Sequence, residues 1–303
     1  MSDRRSSTYA DCVIEAAAQV VKGAKARVVM AFVDAVPDLG KLASIFKAPV
    51  RLILIARNAP EREAAGAHTD KIVDVPDFDL TRMDQIKMAT LLAFSQRLLK
   101  ADDTFVFLVG PPQKPCDTMV VMHVGEEYEM FQTVDQPRLT EHVKRVVFQR
   151  VLTIALELAN EGREGKPVGA LFVLGNWREL EPFCVQNIIN PFKGYTEKER
   201  NVLDDKIKDT VKEFSALDGA FIIKGSGVIV STGTTLRPNI SGEPLPQGLG
   251  ARHATAAAMT ASVKCVAITL SESDGTVRVW RRGQIITEIE KAPRHGLPKG
   301  GLG

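Results

Sequence analysis

Residues 217–230, LDGAFIIKGSGVIV, contain two short apolar runs separated by Gly225-Ser226-Gly227. Apolar runs joined by glycine-containing turn residues predict a tight β-hairpin. A carboxylate, Asp218, precedes the first run and is followed by two of the smallest residues, Gly219 and Ala220. Such an acid either ends a turn or binds a ligand, and small neighbours let a ligand lie against the backbone. On these residues alone, both interpretations are open.

The hairpin lies in the second half of the chain, where helical and strand patterns alternate. An amphipathic helix is predicted from Pro137 to about Gly162, followed by a turn and a strand in GREGKPVGALFVLGN and helices in RELEPFCVQNII and DDKIKDTVKEFSAL, the last ending at Asp218. After the hairpin, a loop rich in Gly and Pro leads to a small-residue helix from about Ala251 and to the strands CVAITLS, TVRVWRR and QIITEI. The last residues, APRHGLPKGGLG, are typical of a frayed tail.

The first half has continuous apolar runs joined by helices. A helix over about residues 8–23 precedes ARVVMAFV; then come the short helix LGKLASIF, the runs VRLILIA and KIVDV, a helix from about Thr81 to Lys100, and the runs TFVFLVG and DTMVVMHV. Strands that are apolar throughout are typical of a parallel sheet covered on both faces, so a parallel-sheet α/β layer domain is predicted. No glycine-rich nucleotide fingerprint follows these strands. The predicted domains are residues 1–135 and 136–303.

The composition is that of an ordinary globular protein, with 45% hydrophobic and 25% charged residues among 303. A formal charge of +2 excludes the overall basic field that is typical of nucleic-acid binders. Four scattered cysteines without a CxxC pair argue against a zinc site and a disulfide framework, and predict free thiols. Because no segment has the pattern of a signal peptide or the length of a membrane span, we expect a soluble, cytoplasmic protein without membrane contact.

A second polar group lies at the start of the small-residue helix. In GLGARHATAAAM, Gly248 and Gly250 precede a first turn that holds Arg252, His253 and Thr255. Free amides at a helix N-terminus and an Arg that grips phosphate oxygens in a fork form an anion site. Cations in a first helical turn oppose the dipole unless an anion lies between them. The alternative is a turn glycine beside a solvated arginine.

A third polar group follows the strand CVAITLS. Ser271 offers a hydroxyl and Glu272 a second carboxylate, although a polar hairpin loop with Asp274-Gly275 as its turn explains the same residues. All three groups lie at the ends of predicted strands or helices. Ligand groups can converge at such positions.

The three groups together resemble the diadenylate cyclase domain, the nucleotide-binding domain of the DNA-integrity scanning protein family. That family's paired motifs are DGA and RHR, which are Asp218-Gly219-Ala220 and Arg252-His253-Ala254 here, and a Ser-Glu pair follows. The resemblance covers about residues 139–290, including GREGKPVG and NPFKGY, and implies a mixed-sheet α/β fold. A preceding α/β domain is similar to the archaeal-type branch, in which it resembles the C-terminal domain of pyruvate kinase and would be regulatory. Ala254 departs from the motif and removes one possible cation from the phosphate grip.

The resemblance implies that two ATP molecules are joined into cyclic di-3′,5′-AMP with release of two pyrophosphates. Asp218 would be catalytic: it would bind Mn²⁺ or Mg²⁺ together with Glu272 and help to deprotonate the attacking 3′-hydroxyl. The implied ATP-binding residues are Gly219, Ala220, Thr234, Thr235, Gly250, Arg252, His253, Thr255, Ser271 and Glu272. Because each domain binds one ATP and the product is two-fold symmetric, a face-to-face homodimer is implied, with higher oligomers open.

A non-catalytic sensor of ATP or of a cyclic dinucleotide is the alternative for the same residues. Asp218 argues against it because a sensor does not need that carboxylate, whereas Ala254 argues for it. A metabolic enzyme in the N-terminal domain has no motif to support it.

Overall fold

A computed structural model describes residues 2–78, 80–100, 103–124, 142–238 and 250–290, with side chains from residue 9 onward. The first half contains the strands β1 Val28–Phe32, β2 Arg51–Ala56, β3 Ile72–Asp74, β4 Thr104–Val109 and β5 Thr118–His123. Its helices are α1 Ser2–Gly23, α2 Leu39–Ile45, α3 Ala59–Gly66 and α4 Arg82–Ser95.

These strands form one sheet in the order β3-β2-β1-β4-β5. The first four strands pair in parallel, as predicted, whereas β5 pairs antiparallel with β4. The connection 110–117 between β4 and β5 is too short for the crossover that a parallel pair requires. The α/β fold is therefore confirmed, and its sheet is mixed at one edge.

Three helices of this half differ from the prediction. Helix α1 begins at Ser2, before the predicted start at about residue 8. Helix α3 was not predicted; its N-cap Asn58 accepts a hydrogen bond from the Glu61 amide at 3.0 Å. Helix α4 ends at Ser95 instead of Lys100, because Arg97 takes a left-handed backbone conformation with φ of 59°.

The second half contains the strands β6 Ala170–Gly175, β7 Cys184–Gln186, β8 Ala220–Lys224, β9 Ile229–Leu236, β10 Cys265–Leu270, β11 Val277–Arg281 and β12 Gln284–Ile289. Its helices are α5 Arg145–Glu161, α6 Trp177–Leu180, α7 Ile207–Phe214 and α8 Ala251–Ser262. The strands form a sheet in the order β12-β11-β10-β6-β8-β9-β7. Strands β6 and β8 pair in parallel and the other neighbours antiparallel, which confirms a mixed sheet.

Two helix predictions in this half are corrected. Helix α5 begins at Arg145, because the backbone of Lys144 is extended, and residues 137–141 lie outside the described residues. The predicted helix RELEPFCVQNII splits into α6, a 3-10 turn Glu181–Phe183 and strand β7. Strand β7 pairs with the end of β9, so tertiary pairing overrides the helical pattern there.

Several sequence predictions fall on residues outside the described ones. These are Gly248, the Gly- and Pro-rich loop over residues 239–249, the domain boundary at 135/136 and the C-terminal tail from residue 291. Helix α7 ends at Phe214, and the turn Phe214–Leu217 separates it from Asp218.

Both faces of the seven-stranded sheet are covered by packed side chains. On one face, α8 packs through Ala256 and Met259 against strand residues that include Val173 and Trp280. The other face joins a cluster that contains α5 and continues into the first half of the chain. Where the halves meet, the amide of Glu290 donates to Asp84 at 3.4 Å. Because both faces are apolar and covered, the polar groups of this sheet lie mainly at the ends of its strands.

Candidate active site

Several strand ends meet at one edge of the seven-stranded sheet. Strands β6 and β8 begin there, and β10 ends there with Leu270 paired to Ala170. In β9, Thr234 pairs with Ala220 at the same edge. A cavity of about 740 Å³ lies here, beside the start of α8, and is large enough for a nucleotide.

All of the predicted site residues line this cavity: Asp218, Gly219, Ala220, Thr234, Thr235, Gly250, Arg252, His253, Thr255, Ser271 and Glu272. The lining also includes residues that the sequence analysis did not select, namely Leu171, Leu236, Ala251, Leu270, Ser273, Asp274 and Arg278. Groups from five strands and from helix α8 therefore converge, as the positions of the motifs predicted.

Arg252 links the two predicted metal-binding carboxylates. Its Nη2 lies 3.6 Å from Oδ1 of Asp218, and its Nη1 lies 3.3 Å from Oε2 of Glu272. The Asp218 side chain is fully exposed and that of Glu272 is largely so, whereas Arg252 is about two-thirds buried. Exposed ion pairs contribute little to stability, so these carboxylates can exchange Arg252 for another partner at small cost. Arg252 is in turn available to an anionic ligand.

Gly169 makes room for Arg252, and the sequence analysis did not assign it a role. A Cβ atom at this position would clash with Nη1 of Arg252 and lie 2.9 Å from its Cζ and 3.2 Å from Cβ of Glu272. Gly169 directly precedes β6, within the segment GREGKPVG that contributes to the family resemblance. Because Gly169 has no side chain, it leaves the space that the guanidinium of Arg252 occupies.

Gly219 allows the two strands of the hairpin to approach closely below Asp218. Its φ is +109°, and a Cβ atom there would lie 2.7 Å from the carbonyl carbon of Gly233 and 2.8 Å from the nitrogen of Thr234. The pairing of β8 with β9 is irregular between Ala220 and Ile222, where β9 contains an extra residue. A β-bulge at such a position turns the strand end and directs its side chains. The small residue after Asp218 is therefore explained by backbone packing.

His253 is a buried, neutral member of the cavity wall. Burial lowers its pKa, and the positive charge of Arg278 adds to that effect. Nη1 of Arg278 lies 3.2 Å from Nε2 of His253 and donates to it, which assigns the imidazole proton to Nδ1. The imidazole ring also lies 6.0 Å from the ring of Trp280. His253 thus positions Arg278, and Arg278 brings a second guanidinium to the cavity.

Arg278 is held by carboxylates on its other side. Its Nε donates to Glu288 at 2.7 Å, and its Nη2 lies 3.9 Å from Asp274. Burial opposes ionisation of Asp274, but hydrogen bonds from Ser271 and Thr276 and the charge of Arg278 outweigh it and lower its pKa. Asp274, interpreted from sequence as a turn residue, therefore also contributes a carboxylate to the cavity.

The two threonines at the end of β9 are engaged by neighbouring protein groups. The buried hydroxyl of Thr234 donates to Gln186 at 3.0 Å and shares a 2.6 Å hydrogen bond with Ser231. The hydroxyl of Thr235 accepts from Asn187 at 2.8 Å. Both residues line the cavity, yet their hydroxyls help to hold β7 against β9.

Helix α8 presents its first turn to the cavity. Its N-cap is Gly250, whose lack of a side chain leaves the first amides without a side-chain acceptor. Arg252 and Thr255, three residues apart, lie on the cavity side, whereas Ala254 is exposed and does not line the cavity. The departure from the family motif at position 254 therefore lies outside the cavity of this chain.

The side chains in the cavity can be compared with the ligands that the predicted Mn²⁺ or Mg²⁺ ion would need. Among the described residues, no group of three or more His, Cys, Asp or Glu side chains could hold a metal ion together. Mg²⁺, however, is typically bound by one or two carboxylates together with substrate phosphates. The exposed carboxylates of Asp218 and Glu272 fit that kind of site.

None of the four cysteines lines this cavity. All four cysteines are free thiols, as predicted, and burial raises the pKa of Cys116 and of Cys184 to about 11. No helix in the described ranges has the length and apolar character needed to cross a membrane.

Comparison with known proteins gives two family matches and several relatives. Residues 157–285 match the family described as DisA bacterial checkpoint controller nucleotide-binding, and residues 11–133 match the probable sensor domain DacZ_P. The diadenylate cyclase of Haloferax volcanii is 38% identical over 68% of this chain and 75% of the relative, and that of Methanocaldococcus jannaschii is 37% identical over 65% of this chain and 63% of the relative. A solved structure of the hypothetical membrane spanning protein from Bacillus cereus is 22% identical over 50% of this chain and 67% of that chain, with a TM-score of 0.37, too low to support an inference.

Proposed function

The chain belongs to the diadenylate cyclase family, as the resemblance predicted, and we propose that it joins two ATP molecules into cyclic di-3′,5′-AMP at the cavity described above. The observation that carries this proposal is the convergence of Asp218, Arg252 and Glu272 in that cavity. An acid that can accept a proton, a cation that can bind phosphate and a second acid are the groups that nucleotidyl transfer requires.

The arrangement explains how the triphosphate would enter. Phosphate oxygens compete with Asp218 and Glu272 for the guanidinium of Arg252, since Arg binds phosphate through two parallel hydrogen bonds. The amides after Gly250 and the positive end of the α8 dipole add to that attraction. When Arg252 moves to the triphosphate, both carboxylates lose a cationic neighbour and are free for chemistry.

In the reaction, the 3′-hydroxyl of one nucleotide attacks the α-phosphorus of the other, and pyrophosphate leaves as the new phosphodiester bond forms. Asp218 accepts the hydroxyl proton in this proposal, which is supported by its fully exposed carboxylate and its position in the cavity lining. Arg278 and Arg252 stabilise the negative charge that develops on the phosphate oxygens. A second, reciprocal attack closes the ring.

Asp218 and Glu272 would hold Mn²⁺ or Mg²⁺ together with phosphate oxygens of the substrate. When bound, the divalent ion lowers the pKa of the attacking hydroxyl and neutralises charge on the phosphates. Asp274 lies in the same lining and could contribute a further oxygen.

The symmetry of the product supports a face-to-face homodimer as the catalytic unit, in which each cavity presents its nucleotide to the other. We further propose a division into an N-terminal regulatory domain, residues 1–135, and a cyclase domain, residues 136–303, acting in the cytoplasm where ATP is available. The parallel order of β1 to β4 is compatible with the proposed resemblance of the N-terminal domain to the C-terminal domain of pyruvate kinase.

The experiment is incubation of the purified chain with ATP and Mn²⁺ or Mg²⁺, followed by mass spectrometry of the nucleotides. The proposal predicts cyclic di-AMP and pyrophosphate. ATP binding without any cyclic product would identify the non-catalytic sensor instead.

A further inference from the structure

A second cavity, of about 640 Å³, lies at the other end of the same sheet. It is formed where β6 and β8 end, around the backbones of Gly175 and Gly225, which are joined by a 3.0 Å hydrogen bond from the Gly225 amide to the Gly175 carbonyl. Strand β8 connects the two cavities: Asp218 lies just before its first residue, and Lys224 is its last. Five strand residues span about 13 Å, so the second cavity is separate from the candidate active site.

The lining of this second cavity is basic. Among the residues that the structure describes, the lining consists of His142, Val143, Lys144, Gly175, Asn176, Trp177, Arg178, Lys224, Gly225 and Ser226, and none of these is acidic. Nζ of Lys224 lies 2.5 Å from Oε1 of Glu197, and this ion pair neutralises the charge of Lys224. Lys144 and Arg178 are exposed and have no acidic partner within the described part of the chain. Because the whole chain carries a formal charge of only +2, this is a local concentration of positive charge.

Backbone contacts hold the segment that contains Lys144 against the hairpin turn. The amide of Lys144 donates to the Gly225 carbonyl at 2.9 Å. A Cβ atom at Gly225 would clash with the carbonyl oxygen of His142 and lie 3.0 Å from its carbonyl carbon. Residues 142–144 therefore pack against the hairpin turn through their backbone, and His142 and Lys144 line the same cavity as Lys224 and Arg178.

Trp177 adds an aromatic surface to the same cavity. It is half-buried, packs against the core beneath α8 and lines the cavity. Aromatic side chains bind the flat faces of nucleobases, and Arg and Lys bind phosphate oxygens. We propose that this second cavity, lined by Lys144, Trp177, Arg178 and Lys224, binds a nucleotide at a site distinct from the candidate active site.

Fluorescence provides a direct test, because the chain contains two tryptophans and Trp280 is buried. The full chain would be titrated separately with a non-hydrolysable ATP analogue, cyclic di-AMP, inorganic phosphate and a DNA duplex. We expect at least one of the two nucleotides to change the emission of Trp177, and the Trp177→Phe variant to lose that change while keeping any response of Trp280. In the double variant Lys144→Glu/Arg178→Glu, the dissociation constant should rise at least about tenfold, from the loss of charged hydrogen bonds.

The matched control is Lys206→Glu, an exposed charge reversal that lines neither cavity. It should leave the dissociation constant unchanged, and unchanged thermal unfolding of all variants would exclude loss of fold. The proposal is overturned if neither nucleotide alters the Trp177 signal, or if the double charge reversal leaves affinity unaltered. It is equally overturned if phosphate binds as tightly as the nucleotides, or if the duplex alone binds.

Discussion

Replacement of Gly169 by alanine should weaken nucleotide binding without unfolding the protein. The added methyl group would clash with Nη1 of Arg252, and its second neighbour is Cζ of the same side chain at 2.9 Å. An arginine end can move, so the clash displaces the guanidinium and leaves the backbone in place. The backbone of Gly169 does not have a positive φ, so alanine is compatible with it.

The expected magnitude is that of losing Arg252 itself. A hydrogen bond to a charged group is worth about 1.5–3 kcal/mol, which corresponds to a rise in the ATP dissociation constant of roughly 10- to 150-fold. Arg252→Ala should show the same loss. Because both changes remove one interaction, the double variant should be no weaker than Arg252→Ala alone.

Isothermal titration with a non-hydrolysable ATP analogue measures these three dissociation constants, and thermal unfolding checks the fold. Gly23→Ala is the matched control, since a methyl group there meets no atom within 4 Å. Unchanged affinity in Gly169→Ala, or losses that add in the double variant, would refute the role given to Gly169.

Three further outcomes are expected. Gly219→Ala should lower the free energy of unfolding by about 1–3 kcal/mol, because φ of +109° strains any side chain and the methyl group meets Gly233; wild-type stability in chemical denaturation would contradict this. The pKa of His253 is lowered in the folded state, so the unfolded state binds more protons as pH falls through the ordinary value of 6.5. The stabilisation is fully present above that pH, so below it the stability of the wild type should fall more steeply than that of His253→Gln. If the melting temperatures of the two proteins changed in parallel from about pH 7.5 to 5.5, this effect would be excluded. Specific cyclase activity should decrease on dilution as face-to-face dimers dissociate, whereas constant activity per subunit would exclude an obligatory dimer.

Much of the fold could be predicted because its strands are continuous apolar runs. Within the described residues, every strand except β7 was located from its apolar residues, since buried strands leave a strong pattern. Strand β7 was taken for helix because its three residues follow a helical turn, and only pairing with β9 makes them a strand. The antiparallel β5 also depends on a neighbour, as chain direction is not visible in an apolar run.

The candidate site could be predicted where residues bear charge or follow a motif. Asp218, Arg252 and Glu272 belong to short motifs at element ends, and these ends meet. Gly169 and Arg278 were missed for a different reason: their importance comes from contacts with Arg252 and His253, which are distant in sequence. The family segment GREGKPVG contained a signal for Gly169, but only the structure shows what it contacts.

The most direct test of the proposed active site is the Asp218→Asn variant, compared with the wild type for cyclic di-AMP formation and for binding of the ATP analogue. The amide is nearly isosteric with the carboxylate and lies at a fully exposed position, so the fold should be retained. Because asparagine can neither accept the hydroxyl proton nor provide a charged metal ligand, product should be absent while most nucleotide affinity remains. Cyclic di-AMP formation at the wild-type rate by this variant would contradict the account.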